Sequence, residues 1–271
     1  MREYLSPAWR NWSASTLEHE YSPSEWAKRS YLECVPDFLE AGEKAKAILG
    51  SNLHTDHYGS TARNIVAWSP PTSRDAIFAW IHGGYWQDSS IDEAFLGAGD
   101  LAIREFGFAA IEYNLAPEAS IPEMIDDCIA ALLWLRGHNP GTRIILGGHS
   151  AGAHLALAVA NRIEVDGLVL VSGIFDLRPL VSTSINGPLA LDDERALKLS
   201  PIFTESTFSY DVEVLVGGDE SPSFQAQAKA AFDYLVDSGA SVNLVTKEGL
   251  DHFDIILTGE HVSSFLRLAD R

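Results

Sequence analysis

Basic residues and cysteines are scarce in this chain of 271 residues, and both shortages narrow what it can be. Lys and Arg together number 19 against 38 Asp and Glu, a formal net charge of −19. Polyphosphate binding needs a basic footprint, so nucleic acid and anionic membrane surfaces are excluded as partners, and anionic small substrates would need local help. The two cysteines, Cys34 and Cys128, lie far apart. That excludes a disulfide scaffold, fits a reducing compartment, and leaves packing as their default role. No run approaches the ~18 uninterrupted apolar residues a membrane span requires; the richest region, 151–175, is broken by Asn161, Arg162, Glu164 and Asp166. The N-terminus continues polar after Met-Arg-Glu-Tyr-Leu, without the apolar segment of a secretory signal. The expectation is a soluble, cytoplasmic protein. A His-Glu-x-x-His helix and clustered Cys/His ligands are also missing, so neither a metal nor an organic cofactor is expected. The partner expected is a small-molecule substrate, with a homodimer left open.

What is present is a core-forming chain, 46% hydrophobic. At roughly 150 residues per domain its length allows one large domain or two small ones. Residues 1–60 are rich in Trp and Tyr and read as a helical arm, with a helix start at Ser22-Pro23-Ser24-Glu25 and an apolar-periodic run over 39–49. Beyond Tyr58-Gly59, strand-length apolar runs at 65–68, 76–81, 108–113, 143–146, 168–171, 212–216 and 242–245 alternate with helical patterns. The helical patterns fall at 93–105, 121–136, 151–162, 223–238 and 260–269. This alternation predicts an α/β fold with a mostly parallel sheet covered by helices on both faces. Residues 175–210, with Pro179, Pro188 and Pro201, interrupt the rhythm and read as a lid-like insertion rather than a second domain. The expectation is therefore a single domain over 1–271.

The strongest local signal is Gly148-His149-Ser150-Ala151-Gly152, between a predicted strand and a predicted helix. This is the context of a G-x-S-x-G nucleophile elbow, where glycines let the backbone turn tightly enough to expose the serine hydroxyl at a helix N-terminus. A hydroxyl needs a base, and an acid to orient that base, in the chain order Ser, Asp/Glu, His. Of nine histidines, His19, His54, His57 and His138 precede the elbow without catalytic context. His149 and His154 are too close to Ser150 along the chain, and His261 sits in the last helix. His252, in a loop after the last predicted strand, is the candidate base. The acid lies in Gly217-Gly218-Asp219-Glu220-Ser221, where either Asp219 or Glu220 can orient the imidazole and spacing alone does not choose. Upstream, His82-Gly83-Gly84-Tyr85-Trp86 follows a strand, so the amides of Gly83 and Gly84, with that of Ala151, are candidate oxyanion donors. His82 reads as a loop-holding residue. Tyr85 and Trp86 are expected at the site mouth, with His149, as substrate-binding residues; the alternative is that the two aromatics merely pack the loop.

Together these residues resemble the α/β-hydrolase superfamily, on the branch shared by hormone-sensitive-lipase-like esterases and the arylformamidases (kynurenine formamidases). The arylformamidase likeness is the closer one. It is carried by Glu20-Tyr21-Ser22-Pro23-Ser24, Tyr58-Gly59, His82-Gly83-Gly84-Tyr85-Trp86, Tyr113-Asn114-Leu115-Ala116-Pro117-Glu118, the elbow, Ser172-Gly173-Ile174-Phe175-Asp176-Leu177, Ser200-Pro201 and Asp251-His252-Phe253-Asp254. These span nearly the whole chain, in order. The resemblance puts the acid at Glu220, since Gly217, Glu220, Ser221, Phe224 and Gln227 match the family's pattern in register, although related enzymes often carry Asp there. It implies a serine hydrolase, without cofactor, that converts N-formylkynurenine to kynurenine and formate in tryptophan catabolism. A broad-specificity carboxylesterase or amidase on the same scaffold is the alternative. A non-catalytic binding module would typically have lost Ser150 or His252, and both are present.

Overall fold

The apolar runs form the strands of one eight-stranded sheet in the computed structural model, which describes residues 2–270. The outermost residues of the expected domain, Met1 and Arg271, lie outside the described residues. The strands are β1 (His54–His57), β2 (Ile65–Ser69), β3 (Ala76–Ile81), β4 (Gly107–Ile111), β5 (Arg143–His149), β6 (Gly167–Val171), β7 (Asp211–Gly217) and β8 (Ser241–Lys247). Their order across the sheet is β1-β2-β4-β3-β5-β6-β7-β8. β1 and β2, and β2 and β4, pair antiparallel, and every later pairing is parallel.

Alternation along each strand splits the core into two layers. Ile77, Ala79 and Ile81 of β3 face the helices Ile121–His138, Ala151–Ala160 and Pro222–Asp237. Phe78 and Trp80 face Tyr31–Leu49, Ala98–Ile103 and Glu260–Ala269 on the other side. Cys128 joins the first layer and Cys34 the second, both buried and unpaired by disulfide, as the composition suggested. No helix among the described residues is long and apolar enough to cross a membrane.

Three local readings need correction. The strand β1, His54-Thr55-Asp56-His57, has no apolar run to announce it; it exists because it pairs with β2 at the sheet edge. The expected helix at 93–105 is two pieces, a 3₁₀ turn Ile91–Ala94 and the helix Ala98–Ile103, separated by Gly97 at φ +80°. In the arm, the Pro23 start yields only the single turn Pro23–Trp26. The long helix begins at Ser30, where a capping box joins the Ser30 hydroxyl and N–H to the Glu33 carboxylate.

The insertion at 175–210 differs from a lid. Leu177, Leu180, Ala196 and Ile202 are wholly buried against the first core layer. Arg178 ties the segment down, bonding Asp176 at 2.7 Å and Glu3 of the arm at 2.7 Å. Arg178 is itself nearly buried, so both carboxylates are needed to compensate its desolvation.

Candidate active site

The parallel strands deliver the candidate residues to their C-terminal ends, where crevices of open α/β sheets form. Ser150 follows β5 directly and caps the helix Ala151–Ala160 with φ 56° and ψ −120°, a left-handed-side backbone that a non-glycine residue adopts at a cost. Its surroundings enforce that turn. A Cβ on Gly148 would fall 2.3 Å from the Gly152 backbone, and one on Gly152 would fall 2.1 Å from Ile81 O. The Ser150 N–H donates to Val171 O at 2.9 Å, pinning the elbow to β6.

His252 lies across the cleft from the elbow's own strand, in the loop after β8. Its Nδ1 donates to Glu220 Oε2 at 2.6 Å, and both side chains are almost fully buried. The other carboxylate oxygen, Oε1, accepts from Ser172 Oγ at 2.5 Å and Gly217 N–H at 2.7 Å. Asp219 instead turns outward, with Lys28 Nζ at 3.9 Å, so of the two neighbours only Glu220 meets the imidazole. The His252 ring is walled by Phe224, Phe253 and His149 at centroid distances of 4.7, 5.4 and 4.5 Å.

The loop carrying His252 is held by Asp251. Its carboxylate accepts from Phe253 N–H at 3.0 Å, Asp254 N–H at 2.9 Å and Lys28 N–H of the arm at 3.0 Å. Burial raises the Asp251 pKa, but these backbone donors and the Lys28 charge outweigh it and leave the carboxyl below its usual range.

The Gly83-Gly84 loop is equally fixed. His82 bridges Gly83 O at 2.9 Å and Glu112 Oε1 at 3.0 Å, stacked on Tyr113 whose hydroxyl donates to His82 O. Glu112 also receives Arg63 at 2.7 Å. Gly84 O accepts from Gln87 and Asp88 N–H, while no backbone hydrogen bond of this loop is donated by Gly83 or Gly84 N–H among the described residues. A Cβ on Gly83 would stand 3.2 Å from Ser150 Cβ, which shows how closely this loop approaches the serine.

Ser150, His252, His149, Gly83, Gly84 and Tyr85 line one cleft of about 410 Å³. His149 donates from Nε2 to His252 O at 2.9 Å; burial, with the neighbouring His252, holds its pKa well below the usual value and keeps the ring neutral. Trp86 is a correction: it does not line the cleft but is fully buried behind the loop, its indole N–H donating to His154 Nδ1 at 3.3 Å. Tyr85 and Trp86 both hold positive φ, 50° and 62°, and only Tyr85 reaches the cleft. His154 in turn meets Leu199 O at 2.8 Å, a buried hydrogen bond made from the elbow helix rather than a role in the cleft.

The cleft's far wall was not legible in the motifs. None of its lining residues comes from 175–210; Pro23, Ser24, Tyr31 and Phe38 of the arm, and Ser89 and Glu93, supply it instead. The insertion acts only from behind, Ile185 O accepting from the Gln87 amide at 3.2 Å. Ser172, with φ 51°, was visible in Ser172-Gly173 but its bond to Glu220 had no local signal.

Comparison with known proteins agrees with this geometry. A family model described as alpha/beta hydrolase fold matches residues 78–219. The kynurenine formamidase of Danio rerio is 30% identical over 92% of this chain and 92% of its own length. That of Drosophila melanogaster is 29% identical over 79% of this chain and 81% of its own. A solved Silicibacter sp. chain provisionally called a thioesterase superposes with a TM-score of 0.81 at 26% identity, covering 94% of this chain and 99% of that one. A bacterial esterase of the hormone-sensitive lipase family shares the fold at a TM-score of 0.66 and 21% identity, covering 100% of this chain and 98% of that one. With the sheet order, the elbow and these relatives in agreement, the chain belongs to the α/β-hydrolase family, on its arylformamidase-like branch near the hormone-sensitive-lipase-like hydrolases.

Proposed function

We propose that the protein is a serine hydrolase that removes the formyl group of N-formylkynurenine, with Ser150, His252 and Glu220 as its triad. The observation that carries the mechanism is the 2.6 Å bond from His252 Nδ1 to Glu220, which leaves the Nε2 of a cleft-lining imidazole for Ser150. Ser150 Oγ attacks the formyl carbon while His252 Nε2 takes its proton. The carbonyl oxygen becomes an oxyanion that the Gly83, Gly84 and Ala151 amides stabilise. His252 then returns the proton to the aryl nitrogen, the C–N bond breaks and the arylamine leaves. Water adds to the formyl-serine by the same base, releasing formate and restoring Ser150.

The substrate assignment is supported by the kynurenine formamidases of fish and fly, matched over most of the chain. Specificity constants for N-formylkynurenine, p-nitrophenyl acetate and p-nitrophenyl butyrate test it. The formamide is expected to exceed the butyrate ester, and a butyrate constant far above it would overturn the reading in favour of a broad carboxylesterase. That second reading is favoured by the esterases among the structural neighbours. Labelling of Ser150 by a fluorophosphonate is expected in either case; a folded protein that fails to label would return the chain to the class of non-catalytic binding modules.

A further inference from the structure

The cleft contains a carboxylate that the proposed mechanism leaves idle. Glu93 sits on the 3₁₀ turn Ile91–Ala94 and lines the same cavity as Ser150 and His252. Tyr31 of the arm donates its hydroxyl to Glu93 Oε2 at 2.8 Å. No Lys or Arg lines this cavity, and no ion pair joins Glu93 to a basic residue among the described residues. The arm cations are engaged elsewhere: Lys28 on Gly249 O and Asp254, Arg29 on Asp37, and Lys46 on Asp92 and Glu43. The imidazoles that share the cleft are also committed: His82 to Glu112 and Gly83 O, His149 to His252 O, His252 to Glu220.

A half-buried carboxylate loses hydration and regains it only through donors or a counter-charge. Burial raises the Glu93 pKa, and the hydroxyl of Tyr31 and the nearby His82 oppose that without cancelling it. Three buried carboxylates elsewhere carry a cation: Glu112 has Arg63, Glu213 has Arg267 and Asp176 has Arg178. Glu93 has only neutral hydroxyl donors, Tyr31 and Ser89, and faces the space where substrate sits. The missing counter-charge would therefore arrive with the ligand.

We infer that Glu93, held by Tyr31, is the binding group for a cationic amine on the substrate, so that the cleft selects acyl-aryl substrates carrying an ammonium over neutral isosteres. This rests on the serine-hydrolase reading of the cleft and names the feature of the leaving group that it recognises. Glu93 reads the ammonium, with Asp88 on the same wall adding to the negative field and accepting from Ser89 N–H. A substrate carboxylate finds no basic residue on the cleft wall and is directed toward solvent.

The test uses the full-length protein and two aryl acetates of matching shape, 4-(2-aminoethyl)phenyl acetate and neutral 4-propylphenyl acetate, with N-formylkynurenine assayed alongside. The wild-type protein is expected to favour the ammonium ester by about tenfold or more in kcat/KM, expressed in KM, as a charge-assisted contact should. Raising the salt concentration should shrink that ratio. Glu93→Gln is expected to bring the ratio close to one, whereas Tyr31→Phe should reduce it only in part. Equal constants for the two esters in the wild-type protein, or a ratio unmoved by Glu93→Gln, would overturn the inference, and the wild-type comparison needs no variant to fold. Failure of the formamide reading is distinguishable: an ammonium preference among esters with no turnover of N-formylkynurenine removes only the proposed substrate, while turnover of the formamide with no charge preference removes only the role of Glu93.

Discussion

Ser172 shows how much a single residue can carry. It is wholly buried, holds φ at 51°, and aims its hydroxyl at the oxygen of Glu220 that His252 does not use. A left-handed backbone at a non-glycine residue costs roughly 1 kcal/mol, so Ser172→Gly relieves strain while removing a charge-assisted donor. Its stability in urea should stay within about 1 kcal/mol of the wild type. Its kcat/KM should fall about tenfold, with a displaced acid limb in the pH profile as Glu220 loosens its hold on His252. An unchanged profile would reduce Ser172 to packing. At the proposed triad, Ser150→Ala should lower kcat by a factor on the order of 10⁶ and Glu220→Gln by about 10⁴. Asp219→Asn, on a side chain turned toward Lys28, should change it only a few-fold; loss of turnover there instead would move the acid to Asp219. Adjacent carboxylates in a tight loop are indistinguishable by type and spacing. Only the fold reveals which one Gly217 and Ser172 help hold against the imidazole.

Among elements, legibility tracked burial. β3, β4 and β6 are buried along their whole length, and such strands announce themselves as apolar runs. β1 is polar at all four positions and mostly exposed, so nothing marks it until β2 is there to pair with. The elbow was legible because its glycines answer to local sterics, and that supplies a test. Gly152→Ala places a methyl against the Ile81 carbonyl, where neither backbone can yield. The expected result is a loss of about 1–3 kcal/mol by chemical denaturation together with loss of fluorophosphonate labelling. A labelled variant of normal stability would contradict it. The aromatic loop was legible in outline only: Tyr85 faces the cleft while its neighbour Trp86 turns into the core, and residue type alone does not tell the two apart. The sequence marks residues 1–60 only as a helical arm. Its helix Tyr31–Leu49 in fact walls the cleft through Tyr31 and Phe38, a contact spanning too much sequence for any local pattern to carry.

For the molecule as a whole, acid should be the weak side. His154 and His261 are fully buried, and desolvation holds each near a pKa of about 4, with His149 displaced in the same direction. An unfolded imidazole takes up its proton near pH 6.5, so between that value and about 4 the unfolded chain binds more protons than the folded one. Each such histidine then removes up to about 1.4 kcal/mol of stability per pH unit. The expected result is a Tm that is level above pH 7 and falls between pH 6.5 and 5; a level Tm across that window would show that the buried rings are not kept neutral. The excess of 19 negative charges, for its part, should make Tm rise with moderate salt as self-repulsion is screened. A last consequence concerns the bond from Lys28 N–H to Asp251. The same carboxylate fastens the arm and the loop that bears His252, so swinging the arm outward to widen the entrance would unfasten the base. Gaping and readiness for chemistry are then mutually exclusive, and a protease that clips the arm should silence hydrolysis without touching a residue of the proposed triad.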